Sequence, residues 1–268
     1  MPTIYDFETL ASDDPKRDEA IGELARLFAE ANAIAFLTGA GVSTDSKIPD
    51  FRSPTGVYAT TSEELFSIDS FTANPSRFYA FFASFYRATS EALPNSGHAA
   101  IAALERRVGK RVTVVTQNID GLHGAAGSTN VVEIHGSLRR AVCLACEALF
   151  DRDVFHAAML EGRVPHCPRC GGVLKPDVVF FGEPLPERAF IAARRAMWET
   201  KLLAVVGTSL QVYPAAGLPR DCDAGAPFVV VNRAPTQLDS QARLVFRASI
   251  AEVLPQAVAL LPSQAALE

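Results

Sequence analysis

The chain has 268 residues, enough for one large domain or one domain plus a smaller module. Hydrophobic residues make up 49% and charged residues 21%, the balance of a soluble globular protein whose core needs no disulfide staples. The formal net charge of -5 argues against a broad nucleic-acid surface, which needs Lys and Arg to replace counterions, and the longest apolar runs are far too short to span a bilayer.

Residues 1–20 are rich in Asp, Glu, Ser and Thr and lack a signal peptide's apolar core, so the expected location is the cytoplasm. There thiols stay reduced, and paired cysteines are read as metal ligands or redox groups before disulfides. Residues 16–31 place Ile21, Leu24, Leu27, Phe28 and Ala31 at helical spacing. Ala33 to Thr38 is a short apolar run ending in Gly39-Ala40-Gly41, the pattern of a buried strand entering a glycine-rich turn. From Ser43 to Tyr58 the polar composition, with Pro49, Pro54 and Gly56, predicts a long loop of the kind that often carries function. Residues 62–93 are aromatic-rich and predicted helical; Pro94-Asn95 ends that stretch, and another helix follows from about His98 to Val108. Strands are predicted at Arg111 to Thr116, with Gln117 to Asp120 after it, and at Val131 to Ile134, with His135-Gly136 after it. Residues 139–177 differ in character, with Cys pairs, Pro, Gly and little regular pattern. Leu202 to Val206 then runs into Gly207-Thr208-Ser209, and Phe228 to Val231 into Asn232.

Several β-branched runs with helical segments between them predict an α/β fold, a Rossmann-like parallel sheet with helices on both faces. Ligands bind such sheets beyond the carboxyl ends of the strands. Five candidate segments lie there: Gly39 to Gly41, Gln117 to Asp120, His135-Gly136, Gly207 to Ser209, and Asn232.

Gly39-Ala40-Gly41 lets a backbone approach a pyrophosphate, and a helix N-terminus after it would favour the negative charge. Thr44 stands where the usual fingerprint has its third glycine, and a plain structural turn is the alternative. Cys143-x-x-Cys146 and Cys167-x-x-Cys170 have the spacing of a closed tetrahedral zinc site of the structural type; two redox dithiols are the other reading. His166 is a competing ligand, and Cys222 is left over as a small buried side chain. Of the five histidines, His135 stands out because it ends an apolar strand and a glycine follows it; a lone His is otherwise more often structural. His98 lies near a helix start, His123 in a turn, and His156 in the zinc segment. In Asp50-Phe51-Arg52 of the long loop, Arg can bind phosphate oxygens and Phe can cover a sugar or ring, or the two are a packing anchor and a surface charge.

Taken together these motifs resemble the sirtuins, of bacterial type. Gly39-Ala40-Gly41-Val42-Ser43, Ile48-Pro49-Asp50-Phe51-Arg52, Thr116-Gln117-Asn118-Ile119-Asp120, His135-Gly136, the two Cys pairs, Val179-Phe180-Phe181-Gly182-Glu183, Gly207-Thr208-Ser209 and Val231-Asn232 occur in the family's order, over roughly residues 20–255. The resemblance implies an NAD-consuming protein lysine deacylase. Its NAD-binding domain would comprise residues 1–57, 95–138 and 178–268, and its small domain a helical module (58–94) and a zinc module (139–177). By position, Gly39, Ala40, Gly41, Thr44, Asp50, Phe51 and Arg52 would line the NAD phosphates and ribose. Gln117, Asn118, Ile119 and Asp120 would shape the nicotinamide pocket, and Gly207, Thr208, Ser209, Asn232 and Ile250 the adenosine side. Val179, Phe180, Phe181, Gly182 and Glu183 would pair with an acyl-lysine peptide as an added strand. His135 would take a proton from a ribose hydroxyl, and one structural zinc on Cys143, Cys146, Cys167 and Cys170 would stay outside the chemistry. Products would be lysine, nicotinamide and O-acyl-ADP-ribose. Acyl-lysine proteins are the implied partners, with no nucleic acid or membrane and a monomeric chain.

Two departures from the family pattern carry expectations. Lys47 replaces the usual glycine before Ile48-Pro49-Asp50, which predicts φ < 0 there and a stiffer loop or a charge facing NAD phosphate. The Tyr-x-x-Arg pair of sirtuins that prefer acidic acyl groups is missing: Tyr79 is followed by Phe82, and Tyr86 by Thr89. Phe71, Phe78, Phe81, Phe82 and Phe85 instead predict an apolar channel for acetyl or longer apolar acyl groups. The competing functions are ADP-ribosyl transfer or NAD hydrolysis at the same site, and a non-enzymatic zinc-ribbon adaptor.

Overall fold

The computed structural model describes residues 2–109 and 111–262. Ten strands and eight α-helices are found among them: β1 (Thr3–Asp6), α1 (Pro15–Glu30), β2 (Ala33–Thr38), α2 (Ile68–Ala73), α3 (Pro75–Glu91), α4 (Ser96–Val108), β3 (Arg111–Thr116), α5 (Leu122–Ala125), β4 (Val131–Glu133), β5 (Gly136–Cys143), β6 (Leu149–Asp151), α6 (His156–Leu160), β7 (Leu174–Val178), α7 (Glu187–Glu199), β8 (Leu202–Val206), β9 (Phe228–Val231), β10 (Leu244–Arg247) and α8 (Ile250–Ala259). Seven strands form one sheet in the order β1-β10-β9-β8-β2-β3-β4, and every pair in it is parallel. The chain builds outward from β2 to β3 and β4 on one side and from β8 to β9 and β10 on the other. The order therefore reverses between β2 and β8, and a crevice opens at the carboxyl ends of such a pair.

The central strands read as unbroken apolar runs because helices cover both faces; β2 and β8 are buried at every residue. One face packs α1, α4 and α8 on Ile34, Phe36, Val112, Val114, Ala204 and Val206. The other packs α7 and the 3-10 stretch Ala215–Asp221 on Ala35, Leu37, Val115, Leu203 and Val205. The expected Rossmann-like sheet with helices on both faces is thus present. Its outer strands β1 and β10 and its helices α7 and α8 have no counterpart in the sequence reading. β1 is an edge strand with Thr3 and Ile4 exposed, β10 is followed by no turn motif that marks its end, and α8 carries Pro255 inside it.

Capping explains the helix starts. The Asp14 side chain accepts the Lys16 N–H before α1, and Asn95 and His98 form a reciprocal capping box that starts α4 at Ser96, ahead of the predicted His98. The aromatic stretch expected to be one helical segment is two helices. Asn74 caps α3 through the Arg77 N–H and Pro75 takes its first position, so α2 stops there.

A second, antiparallel sheet has the order β6-β5-β7 and carries the four paired cysteines at one end, where β5 finishes beside the starts of β6 and β7. It shares a core with the aromatic helices: Phe71, Phe78, Tyr79, Phe82, Phe85 and Tyr86 pack with Leu138, Ala141, Phe155, Met159 and Leu174.

Candidate active site

The carboxyl ends of the parallel strands face a cavity of about 900 Å³, within the range of small-molecule sites. All five strand-end segments line it. So do Thr44, Asp50, Phe51, Arg52 and Ile250, together with Val179 to Glu183. The structure thus gathers every predicted cofactor and substrate residue, and His135, around one space.

At the switch point the two glycine loops interlock. The Gly41 N–H donates to the Gly207 carbonyl at 2.8 Å, and a Cβ on Gly41 would lie 2.9 Å from that oxygen. Gly207 has φ +60°, and a Cβ there would reach 2.4 Å from the Val42 nitrogen. These glycines serve loop-on-loop approach. No α-helix follows the first loop; two three-residue 3-10 turns, Ala40–Val42 and Thr44–Ser46, stand in its place, correcting the expected helix N-terminus. Lys47 is a second correction. It adopts φ +65° and ψ +20°, the left-handed conformation suited to the glycine it replaces, rather than φ < 0.

His135 follows β4. Its Nδ1 lies 3.1 Å from the Gln117 carbonyl. A carbonyl can only accept, so Nδ1 carries the proton and Nε2 is left with the free lone pair. Burial lowers the His135 pKa below its ordinary value and the Gln117 bond partly opposes this, so the ring is neutral at pH 7. Next to it Gln117 Nε2 donates to Thr208 Oγ1 at 3.0 Å, which ties the ends of β3 and β8 together. Asn118 Nδ2 donates to Ser43 Oγ at 3.1 Å, and Ser43 Oγ donates to Asp120 Oδ2 at 2.7 Å. Ser43 is 1% exposed and bridges two predicted site residues; its place inside the first glycine motif was the only signal for it.

The loop residues are less committed to a ligand. Asp50 Oδ1 accepts the Ser53 N–H, a bond internal to its own loop. Arg52 pairs with Glu63 at 2.7 Å above the Tyr58 ring. Phe51 packs against Tyr58 and Phe85 with ring centroids 5.5 and 5.6 Å away. Phe78, Phe82 and Phe85 line the cavity as predicted, with Phe66 and Tyr58 added. Phe71 and Phe81 do not: Phe71 is wholly buried among Phe78, Tyr79 and Phe180, and Phe81 backs Phe66. The hydroxyls of Tyr79 and Tyr86 are spent on the Leu174 carbonyl and His156 Nδ1. Gln211, Val212 and Tyr213, also on the cavity wall, have no motif that marks them in sequence.

The four thiols of Cys143, Cys146, Cys167 and Cys170 lie within 4.8 Å of one another. The Cys143–Cys170 and Cys146–Cys167 sulfur separations are 3.5 and 3.8 Å. A tetrahedron with Zn–S bonds of ~2.3 Å has edges of roughly 3.8 Å, so the donor set fits zinc and is closed by four thiolates. His166 is outside the cluster, its Nδ1 3.1 Å from the Gly171 carbonyl. The other histidines are structural: His98 caps α4, and His123, in α5 rather than a turn, lies 3.0 Å from Thr38 Oγ1 with its ring 4.8 Å from His98. Cys222 is half-buried beside Met197.

A doubly wound sheet with its cavity at the switch point, joined to a four-cysteine metal unit, defines the class. The Sir2 family matches residues 39–214, well over half of the chain, and the chain belongs to that family. It is 43% identical to NAD-dependent protein deacetylase 1 of Pyrobaculum aerophilum, over 89% of this chain and 93% of that protein. It is 42% identical to the NAD-dependent protein deacetylase of Clostridium perfringens, over 90% and 99%. Among solved structures it is similar to a Sir2 variant with a deacetylated p53 peptide and 3'-O-acetyl ADP ribose (TM-score 0.83, 38% identity, 88% of this chain and 96% of that one). It is similar also to a Sir2–p53 peptide–NAD+ complex (TM-score 0.80, 37% identity, 89% and 97%).

Proposed function

We propose that this protein removes acyl groups from lysine side chains of proteins at the expense of NAD, with acetyl and longer apolar acyl groups as substrates. The observation that carries the reading is His135 on the cavity wall, its tautomer set by the Gln117 carbonyl so that Nε2 is the proton acceptor. When bound, NAD supplies an electrophilic ribose carbon and nicotinamide as the leaving group. The Gly39–Thr44 loop and Arg52 hold the phosphates, Arg52 having donors left beyond the one it gives Glu63. Gln117, Asn118 and Asp120 position the nicotinamide end, Thr208, Ser209, Asn232 and Ile250 the adenosine end. The aromatic wall of Phe66, Phe78, Phe82 and Phe85 excludes water and takes the acyl chain. His135 Nε2 then accepts the proton of a ribose hydroxyl. Zinc on the four cysteines holds its unit folded and takes no part in this step.

The division into an NAD-binding domain (1–57, 95–138, 178–268), a helical module (58–94) and a zinc module (139–177) is supported by the two separate sheets, although the core of the small sheet draws in Ile48, Leu122, Leu138, Val178 and Phe180 from the NAD-binding segments and is shared by both small modules. The ADP-ribosyltransferase, NAD-hydrolase and adaptor readings are not favoured, since the relatives are named as deacetylases. The deciding assay offers NAD and a panel of acylated peptides, read by mass. O-acyl-ADP-ribose must appear with nicotinamide; free ADP-ribose without need of acyl peptide overturns the proposal. A kcat/KM higher for succinyl-lysine than for acetyl-lysine overturns the apolar preference.

A further inference from the structure

Lys175 is a cation in the interior of β7, with 4% of its surface exposed. A buried ammonium costs several kcal/mol in desolvation, which only well-aimed partners offset. It has three donors, and three acceptors meet it: the Pro176 carbonyl at 3.2 Å, the Val178 carbonyl at 2.7 Å and Glu183 Oε2 at 3.0 Å. The Phe180 ring centroid lies 4.4 Å from Nζ. All four partners fall within residues 176–183, and none is a zinc ligand.

The far end of that segment folds back on the same carboxylate. Glu183 Oε2 accepts the Phe180 N–H at 2.8 Å, and the Glu183 N–H donates to the Phe180 carbonyl at 3.0 Å. Gly182 supplies φ +92° for this turn. The rest of the segment is anchored on both flanks: the Val179 N–H donates to the His135 carbonyl and the Phe181 N–H to the Phe66 carbonyl, each at 2.9 Å. Removing the ammonium leaves those flanks in place but frees the Glu183 carboxylate and the turn it holds.

We propose that Lys175 is a positioning residue for the acyl-lysine substrate: it locks Glu183 and the Val178 carbonyl so that Val179 to Glu183 stands as a pre-formed docking strand. The peptide then binds without having to order that strand, a saving of the size of one or two immobilised side chains. The proposal rests on the reading of Val179 to Glu183 as the peptide-binding strand. It predicts a split in the kinetics, because Lys175 touches neither His135 nor the phosphate loop.

The test uses the zinc-loaded full chain, an acetyl-lysine peptide and NAD, with Lys175→Met, Lys175→Arg and Gly182→Pro compared with wild type. Lys175→Met is expected to raise the peptide KM about tenfold while the NAD KM and kcat stay within about twofold, and Lys175→Arg to recover most of the loss. Hydrogen exchange at the Phe180 amide is expected to speed up in Lys175→Met. If Lys175→Met does not fold, Lys175→Gln takes its place with the same expected split. An unchanged peptide KM, a parallel loss in kcat and both KM values, or failure of both neutral variants to fold overturns the proposal. Gly182→Pro separates it from the reading beneath it. If Gly182→Pro raises the peptide KM and Lys175→Met does not, the role of Lys175 alone fails. If neither variant moves it, or wild type does not turn over the peptide, the docking-strand reading itself fails.

Discussion

In the seven-stranded sheet, β2 and β8 are buried end to end by aliphatic side chains, and the site is made of whatever follows each strand. In the three-stranded sheet the strands are few, the core is aromatic, and four thiols are gathered at one end. The first region holds its functional atoms by hydrogen bonds between strand ends: the Gly41 backbone on the Gly207 carbonyl, the Gln117 side chain on the Thr208 hydroxyl, the His135 ring on the Gln117 carbonyl. The second holds its shape by side chains and a metal. A sheet of many parallel pairs supports itself through area buried on both faces, whereas a sheet of only three strands has less area to bury and gains more from a cross-link. The cavity belongs to the self-supporting region, and the segment 179–183, proposed to dock the substrate, bonds to Phe66 and His135.

The sharpest way to break this comparison is to remove the cross-link. Cys143→Ser is expected to unfold or aggregate the chain and to lower bound zinc from about one per chain towards zero, given apparent zinc contributions of about 10–16 kcal/mol in small zinc units. A purified chain that is folded and zinc-free by metal analysis would refute the structural role. Next in size, His135→Ala is expected to cut deacylation kcat/KM by about 10²–10⁴-fold with little change in thermal midpoint or NAD affinity, since the ring caps no core element. The acid limb of the wild-type kcat/KM should have its midpoint below the ordinary histidine value of about 6.5, because burial of His135 favours the neutral base. A midpoint above about 7 would contradict that environment.

A third effect is on stability and reaches the floor beneath the sheet edge. Burial, with help from His98, lowers the His123 pKa to about 3, and burial also lowers that of His98. The unfolded chain binds these protons first, so stability is complete above pH 6.5 and declines as pH falls towards 3. For His123 the expected slope is about 1.4 kcal/mol per pH unit, with His98 adding in the same direction, measured by denaturant melts at stepped pH. His123→Gln should flatten it; an unaltered slope would remove His123 from the account. The smallest effect is expected at Lys47. Lys47→Gly relieves a left-handed backbone costing about 1–2 kcal/mol and loses part of that to chain entropy, for a net gain of about 0.5–1 kcal/mol in a melting curve. A loss of stability there would mean that the Lys47 side chain makes a contact outweighing its strain.

Legibility followed burial pattern. Ala33 to Thr38, Arg111 to Thr116, Leu202 to Val206 and Phe228 to Val231 were readable as strands because central parallel strands are apolar on both faces. β1 was not, since it is an edge strand with Thr3 and Ile4 exposed, β10 was not, since no glycine or site motif follows its apolar run, and α8 hid behind Pro255. The strand-end residues were readable because turn chemistry after an apolar run is local. The same logic failed for Phe71 and Phe81, where a helix of many aromatics does not say which rings face the cavity and which face the core.

By itself the sequence determined the strand-to-loop junctions, the four thiols and the candidate base, because each depends on residues within a few positions of one another. Only the tertiary structure decided that Gly41 meets Gly207 and that Ser43 bridges Asn118 and Asp120. It alone decided that Lys47 turns left-handed and that Lys175 grips Glu183 from inside the small sheet. These facts rest on partners far apart in sequence or on a backbone conformation set by its surroundings, and a lysine's stem and charge give no local sign of whether it faces water or the core.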